Sequence, residues 1–460
     1  MTISQNGSNP TLLTLFKRYG LMLYKVNAPD RVLKMIRNDL TRSLQDFNGT
    51  WNTLTFYIDK GNYLYLPRRY NIDAVCDNYD IINMTEPGKI IDIKDNIKYR
   101  DETQKKAVEF IIGGYANDKD PIINLRPGSG KTVICIKALS ILKRRAIVIA
   151  NRLDVLDQWT ERFNEFTPDC KVGMLDIDKD DDFDIYLCTV QKLVSYIKSH
   201  PKEILSKIND LKIGITVFDE VHSLIGPEKF TQVAMLFKSK MFCYLSGTPF
   251  STKLQYIFKS WIGDYQFTAP YDIVPTIILY PIVSAIPDRT IKYICWRGRF
   301  NMTRYLKSVV KYKVYVKQLY SLIMTLYKDG RDILILSKQI NLLDELYDML
   351  KDSIDPEIIG RFHGTRPRSE LTKRVLLATY SKCKEAVDVK HNTLILATPI
   401  NNRNGLEQAV GRVLRSKDPI IYDIIDIGVV NVYNMMHTRL DIYNKLKWDV
   451  RRDYYDQGVG

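Results

Sequence analysis

The segment Leu125-Arg126-Pro127-Gly128-Ser129-Gly130-Lys131-Thr132 has the residue types of a phosphate cradle. Small residues let backbone N–H groups wrap an anion at a helix N-terminus, where the helix dipole favours negative charge. Gly128, Ser129 and Gly130 would form that wrap, Lys131 would reach the β/γ-phosphates, and the Thr132 hydroxyl would meet Mg²⁺. Leu125 stands where the pattern usually has its first glycine. About ninety residues on, the apolar run Ile215-Thr216-Val217-Phe218 ends in Asp219-Glu220-Val221-His222. Adjacent carboxylates after a buried-type strand suit two tasks, Asp219 in holding Mg²⁺ and Glu220 in orienting an attacking water.

Such side chains must be carried to one edge of a sheet. Residues 121–125, 146–150, 185–190, 215–220 and 242–247 are short apolar runs ending in polar chemistry, as the central strands of a parallel sheet read. A second series follows at 332–337, 357–364, 374–380, 393–399 and 420–426. Between the series, residues 265–290 contain four prolines and read as a connector, and 303–328 as a long helical stretch. The first 95 residues read as a small α+β module. A helix starts near Asn27-Ala28-Pro29-Asp30, with Val32, Leu33, Ile36 and Leu40 on one face. A hairpin turns at Asp59-Lys60-Gly61-Asn62 and ends at Pro67. The aromatics of this hairpin, with Arg68 and Arg69, either face duplex DNA or simply build a small core. The expected organisation is α/β, with an N-terminal module (1–95) followed by two tandem parallel-sheet domains (96–268 and 269–460).

The order GSGKT, DEVH, Ser246-Gly247-Thr248-Pro249 and Gln408-Ala409-Val410-Gly411-Arg412-Val413-Leu414-Arg415 resembles a superfamily 2 helicase. The resemblance runs from Tyr99 to Asp426, about 70% of the chain. Within the superfamily the chain is most similar to the XPB-like and phage UvsW-type branched-DNA helicases and their viral relatives. The likeness implies that both parallel-sheet domains are RecA-like and that the chain is an ATP-hydrolysing enzyme with ATP and Mg²⁺ as cofactors. It further implies that Arg100 and Gln104 recognise adenine, and that Gln408, Arg412 and Arg415 stabilise the transferring phosphoryl group when the lobes close. His222, Ser246 and Thr248 would relay nucleotide state. Arg152, Thr189, Gln191, His363, Arg366, Arg368 and Thr379 would contact nucleic acid, with Arg152–Trp159 facing its backbone. Glu385 and Asp388 fall at acidic positions of a further motif, where Ala386 replaces the usual glycine. The implied function is remodelling or unwinding of branched or forked DNA in replication, recombination or repair. Alternatives are a duplex translocase that displaces RNA or protein, and an RNA-dependent ATPase.

The formal charge of +14 agrees with a polyanionic partner but does not specify one. No apolar run approaches the roughly 20 residues of a membrane span, so no membrane partner is expected. Seven scattered cysteines show neither metal-binding nor disulfide spacing. Together these suggest a monomer of a reducing cytoplasm, that of an infected host cell included.

Overall fold

The structure is a computed structural model, and it describes residues 12–45, 50–126, 128–221, 227–247, 255–269, 273–296, 299–364, 366–385, 390–414, 416 and 418–452. The chain divides into two compact units, Met1–Leu125 with Ser129–Ala269 and Arg126–Gly128 with Pro270–Gly460.

The first unit contains a seven-stranded sheet, all parallel among the described residues. Its order is Val172–Met174, Ile185–Thr189, Ala146–Ala150, Ile215–Asp219, Met241–Ser246, Ile122–Asn124, Gln266–Thr268. Its central strands are mostly apolar because both faces are covered. Ala146, Val148 and Ala150 pack into one core, whereas Ile147 and Ile149 pack into the other. Each fully buried Ile or Val contributes roughly 1.5–3 kcal/mol relative to exposure, so a polar residue in either set would be strongly unfavourable.

The N-terminal module belongs to this first unit. Among the described residues it holds a five-stranded sheet in the order Ile58–Lys60, Tyr63–Leu66, Gly20–Tyr24, Leu13–Arg18, Tyr79–Asn83, and a two-stranded pair, Thr41–Gln45 with Trp51–Thr55. The helix Asp30–Asp39 lays Val32, Leu33 and Ile36 against that sheet's core, as its spacing predicts. Arg68 and Arg69 do not face outward to duplex DNA. Both Nε atoms donate to Asp120 Oδ2, at 2.9 and 2.5 Å, and the Arg68 and Asp120 side chains have no exposure. Of the two expectations for this hairpin, the small-core one describes it.

The second unit holds another seven-stranded parallel sheet among the described residues. Its order is Ile359–Phe362, Val375–Thr379, Ile333–Ser337, Thr393–Leu396, Ile420–Asp426, Thr276–Ile282, Asp449–Arg452. The expected connector therefore contains two strands. Gln266–Thr268 edges the first sheet, and Thr276–Ile282 lies between two strands of the second despite Pro281. The long helical stretch is two helices, Met302–Tyr312 and Val314–Lys328, broken at Lys313 with φ 57°. No helix among the described residues is long and apolar enough to cross a membrane.

Candidate functional site

The strand Ile122–Asn124 runs into the candidate phosphate loop, and the helix Lys131–Leu142 follows it directly. Gly128 and Gly130 have φ of 81° and 82°, a region where a side chain is strained. Space also restricts position 130, since a Cβ there would stand 2.6 Å from Gln104 Nε2. Gln104 is buried and braces the loop. Its Nε2 donates to the Ser129 carbonyl at 3.3 Å, and its Oε1 accepts from Arg100 N at 2.9 Å. An Arg100 guanidinium nitrogen donates to the same carbonyl at 3.3 Å. Both residues expected to recognise adenine thus also grip the phosphate loop from its flank. Asp101 caps the helix Glu102–Ala116 that carries Gln104, accepting from Gln104 N at 2.9 Å.

Lys131 is buried, and its ammonium donates to the Leu125 carbonyl at 3.0 Å while lying 3.6 Å from Glu220 Oε1. Thr132 follows in the first turn of the helix. Asp219 ends the strand Ile215–Asp219, two strands from Ile122–Asn124 in the same sheet. Burial and the neighbouring Glu220 push the Asp219 carboxyl up to about 6, against the opposing pull of the Trp159 N–H and of Lys131. A cation would relieve that cost, and the hydroxyl and carboxylate oxygens of Thr132 and Asp219 suit hard Mg²⁺. Glu220 has φ 48° and remains partly exposed, a left-handed conformation uncommon for a residue with a side chain. Ser246 ends its strand fully buried, in register with Asn124. His222 and Thr248 lie outside the described residues.

In the second unit the helix Arg403–Val410 carries Gln408 and ends at Gly411. Asn402 caps it by accepting from Gly405 N at 2.7 Å. Arg412 therefore stands beyond the helix rather than within it. Its N–H and that of Val413 bond three residues back, to Ala409 and Val410, the tighter spacing of a 3₁₀ turn. Arg415 lies outside the described residues.

Beneath the approach to this helix is a polar cluster that the sequence did not reveal. Arg439 is fully buried, with Nε donating to Asp423 Oδ2 at 2.8 Å and Nη1 to Asn401 Oδ1 at 3.2 Å. The Tyr443 hydroxyl donates to the same Asp423 oxygen at 2.9 Å. The available sequence signal was an arginine on an otherwise apolar helix face, far from any motif.

The family description "Type III restriction enzyme, res subunit" matches residues 96–251. A mimivirus protein of Acanthamoeba polyphaga, named "Putative ATP-dependent RNA helicase L396", is 25% identical over 97% of this chain and 88% of its own. The "DNA 3'-5' translocase XPB2" of Sulfurisphaera tokodaii is 32% identical over 34% of this chain and 32% of its own. The chain is a superfamily 2 helicase. As such the helicase hydrolyses ATP and binds nucleic acid. The solved structure of phage T4 UvsW aligns over 96% of this chain and 99% of its own, at 17% identity and a TM-score of 0.42. That score is too low to carry an inference.

The helicase places its candidate nucleic-acid residues at the carboxyl edges of its two sheets. In the first unit, Arg152 and Gln191 are exposed, and Gln191 Nε2 donates to Asn151 Oδ1 at 2.6 Å. That bond joins the segments following two neighbouring strands. Thr189 is buried and caps the next helix, accepting from Lys192 N at 3.2 Å. In the second unit Arg366 is exposed, whereas Thr379 and His363 are buried. His363 Nε2 approaches Asp344 Oδ1 at 3.2 Å without hydrogen-bond alignment. Burial holds the His363 imidazole below its ordinary range, with Arg366 and Arg361 adding to the effect and Asp344 opposing it. Arg361 is drawn aside, its guanidinium 3.8 Å from the centre of the Tyr347 ring. The Arg368 side chain, Asp388 and the side chain of Glu385 are outside the described residues.

Proposed function

We propose that the helicase uses ATP and Mg²⁺ to move along DNA and to remodel branched or forked structures. The observation that carries the ATP chemistry is the meeting of Lys131, Asp219 and Glu220 at the carboxyl edge of one parallel sheet. Lys131 would exchange its present acceptors for the β/γ-phosphates, and Thr132 and Asp219 would hold Mg²⁺, which neutralises phosphate charge. Glu220 would orient the water. Gly128, Ser129 and Gly130 would wrap the phosphates, braced by Gln104 and Arg100. Gln408, Arg412 and Arg415 would meet the developing charge, and His222, Ser246 and Thr248 would transmit the result.

DNA as the track is supported by the charge of +14 and by the 32% identity, over 34% of this chain, to a protein named a DNA translocase. Arg152, Gln191, Arg366 and Arg368 would contact the backbone, with Thr189, His363 and Thr379 shaping the loops beneath them. Backbone contacts suit a motor that must pass over any sequence. RNA is the second reading, favoured by the name of the relative that spans 97% of this chain. Steady-state ATP turnover should be compared with single-stranded, linear duplex, forked and four-way DNA and with RNA. Greatest stimulation by forked or four-way DNA supports the proposal. Greater stimulation by RNA than by any DNA assigns the helicase to RNA.

A further inference from the structure

The segment Arg152–Trp159 resembles one that faces nucleic acid, yet its tryptophan points the other way. The helix Leu153–Phe166 buries Leu156, Trp159 and Phe163, a stripe of helical spacing that turns inward toward the sheet. Trp159 is 1% exposed, and its ring lies 5.9 Å from that of Phe163. Packing accounts for the ring. It does not account for the partner of the indole N–H, which donates at 2.8 Å to Asp219 Oδ2. A buried tryptophan needs some acceptor. Here the acceptor is the carboxylate at the strand end beside Glu220, and not a structural carbonyl.

We propose that Trp159 is a positioning residue of the nucleotide site, which fixes the Asp219 carboxylate so that its other oxygen faces Mg²⁺. The proposal rests on the assignment of Mg²⁺–nucleotide to Asp219 made above. A carboxylate at the end of a strand can rotate about two side-chain torsions, and each wrong rotamer weakens its hold on a cation. The indole bond selects one rotamer. It also comes from a neighbouring, well-packed element, because the strand Ala146–Ala150 that leads into this helix pairs with Ile215–Asp219. Partners that orient metal-holding groups typically change metal affinity by about 10–100-fold when removed.

The test measures binding of a fluorescent N-methylanthraniloyl-ADP to the full chain across a Mg²⁺ titration, without turnover. Trp159→Phe keeps an aromatic ring and removes the donor. It should raise the half-saturating Mg²⁺ concentration roughly 10–100-fold, while Mg²⁺-free nucleotide affinity stays within about threefold. Should that variant fold poorly, 3-benzothienylalanine at position 159 preserves the indole shape with sulfur in place of N–H, and the same shift is expected. In an Asp219→Asn background neither replacement should shift the Mg²⁺ dependence. An unchanged Mg²⁺ dependence in the folded variants overturns the proposal, as does an equal loss with and without Mg²⁺. If Mg²⁺ has no effect on nucleotide binding by the unaltered protein, the assignment of the cation to Asp219 fails instead.

Discussion

Replacing Asp120 with Asn should loosen the attachment of the N-terminal module to the first parallel sheet. Asp120 stands two residues before that sheet's phosphate-loop strand, with its side chain fully buried. Its Oδ2 accepts from Arg68 and Arg69, and its Oδ1 accepts from Phe242 N at 2.8 Å. Burial alone would raise its carboxyl, but Arg68 and Arg69 overcome that and hold it below the usual range. The amide retains the shape and one acceptor while removing the charge. Arg68 would then be a buried cation without a carboxylate, left with neutral contacts among the described residues that include the Lys240 carbonyl at 2.6 Å and the Phe242 ring at 4.4 Å. Removing one partner of a buried pair costs about 3–5 kcal/mol. For a unit of this size that lowers the melting temperature by roughly 6–20 °C. Near-ultraviolet circular dichroism would follow the transition, since Trp159 and Trp261 are both buried in this unit. Combining Asp120→Leu with Arg68→Met and Arg69→Met should recover much of the loss, because apolar replacement of a whole buried ion cluster is often neutral. A decrease of less than about 2 °C in Asp120→Asn would refute the view that this cluster welds module to sheet.

Lys17 lies in the same cluster, and burial followed by Arg68 and Arg69 lowers its ammonium to about 8. The unfolded chain then binds the extra proton between about pH 8 and 10.5, so this group's contribution to stability rises with pH across that window. Urea unfolding of the unaltered protein against Lys17→Met should show that rise only with the lysine present. Arg412→Ala should leave ATP affinity within about tenfold while lowering turnover by roughly 10²-fold or more; equal losses in both would point to a ground-state or folding role. Arg366→Ala should reduce the slope of log K for DNA against log salt by about 0.7–0.9, equally for unrelated sequences, if the residue neutralises one phosphate. An unchanged slope would leave Arg366 as solvated surface.

The strands most legible in the sequence were those buried on both faces. Ala146–Ala150 and Ile420–Asp426 have the bounds expected, because the first is a continuous apolar run and the second is interrupted only at Asp423 before its closing Asp426. Thr276–Ile282 was obscured by Pro281 and the prolines around it, although a parallel partner on either side accommodates the strand. Asp449–Arg452 was invisible because its charged residues read as surface, and pairing with Thr276–Ile282 makes it a strand. The phosphate loop and the Asp219–Glu220 pair were legible as motifs since their chemistry requires contiguous residues. Their supports were not. Arg68 meets Asp120 across 52 positions and Trp159 meets Asp219 across 60, and no local pattern encodes such partners. The turn that carries Arg412 is not encoded locally either, for Ala409-Val410-Gly411 is compatible with a continued helix until the i→i−3 bonds are seen.

The most direct test of an ATP-hydrolysing centre at Lys131, Asp219 and Glu220 is single-turnover hydrolysis by Glu220→Gln. The substitution retains shape near Lys131 and removes the carboxylate that would orient water. ATP binding, measured by equilibrium titration, should stay within about tenfold, while the hydrolysis rate falls by about 10²–10⁴-fold with forked DNA present. Near-normal hydrolysis by this variant would contradict the assignment of the centre.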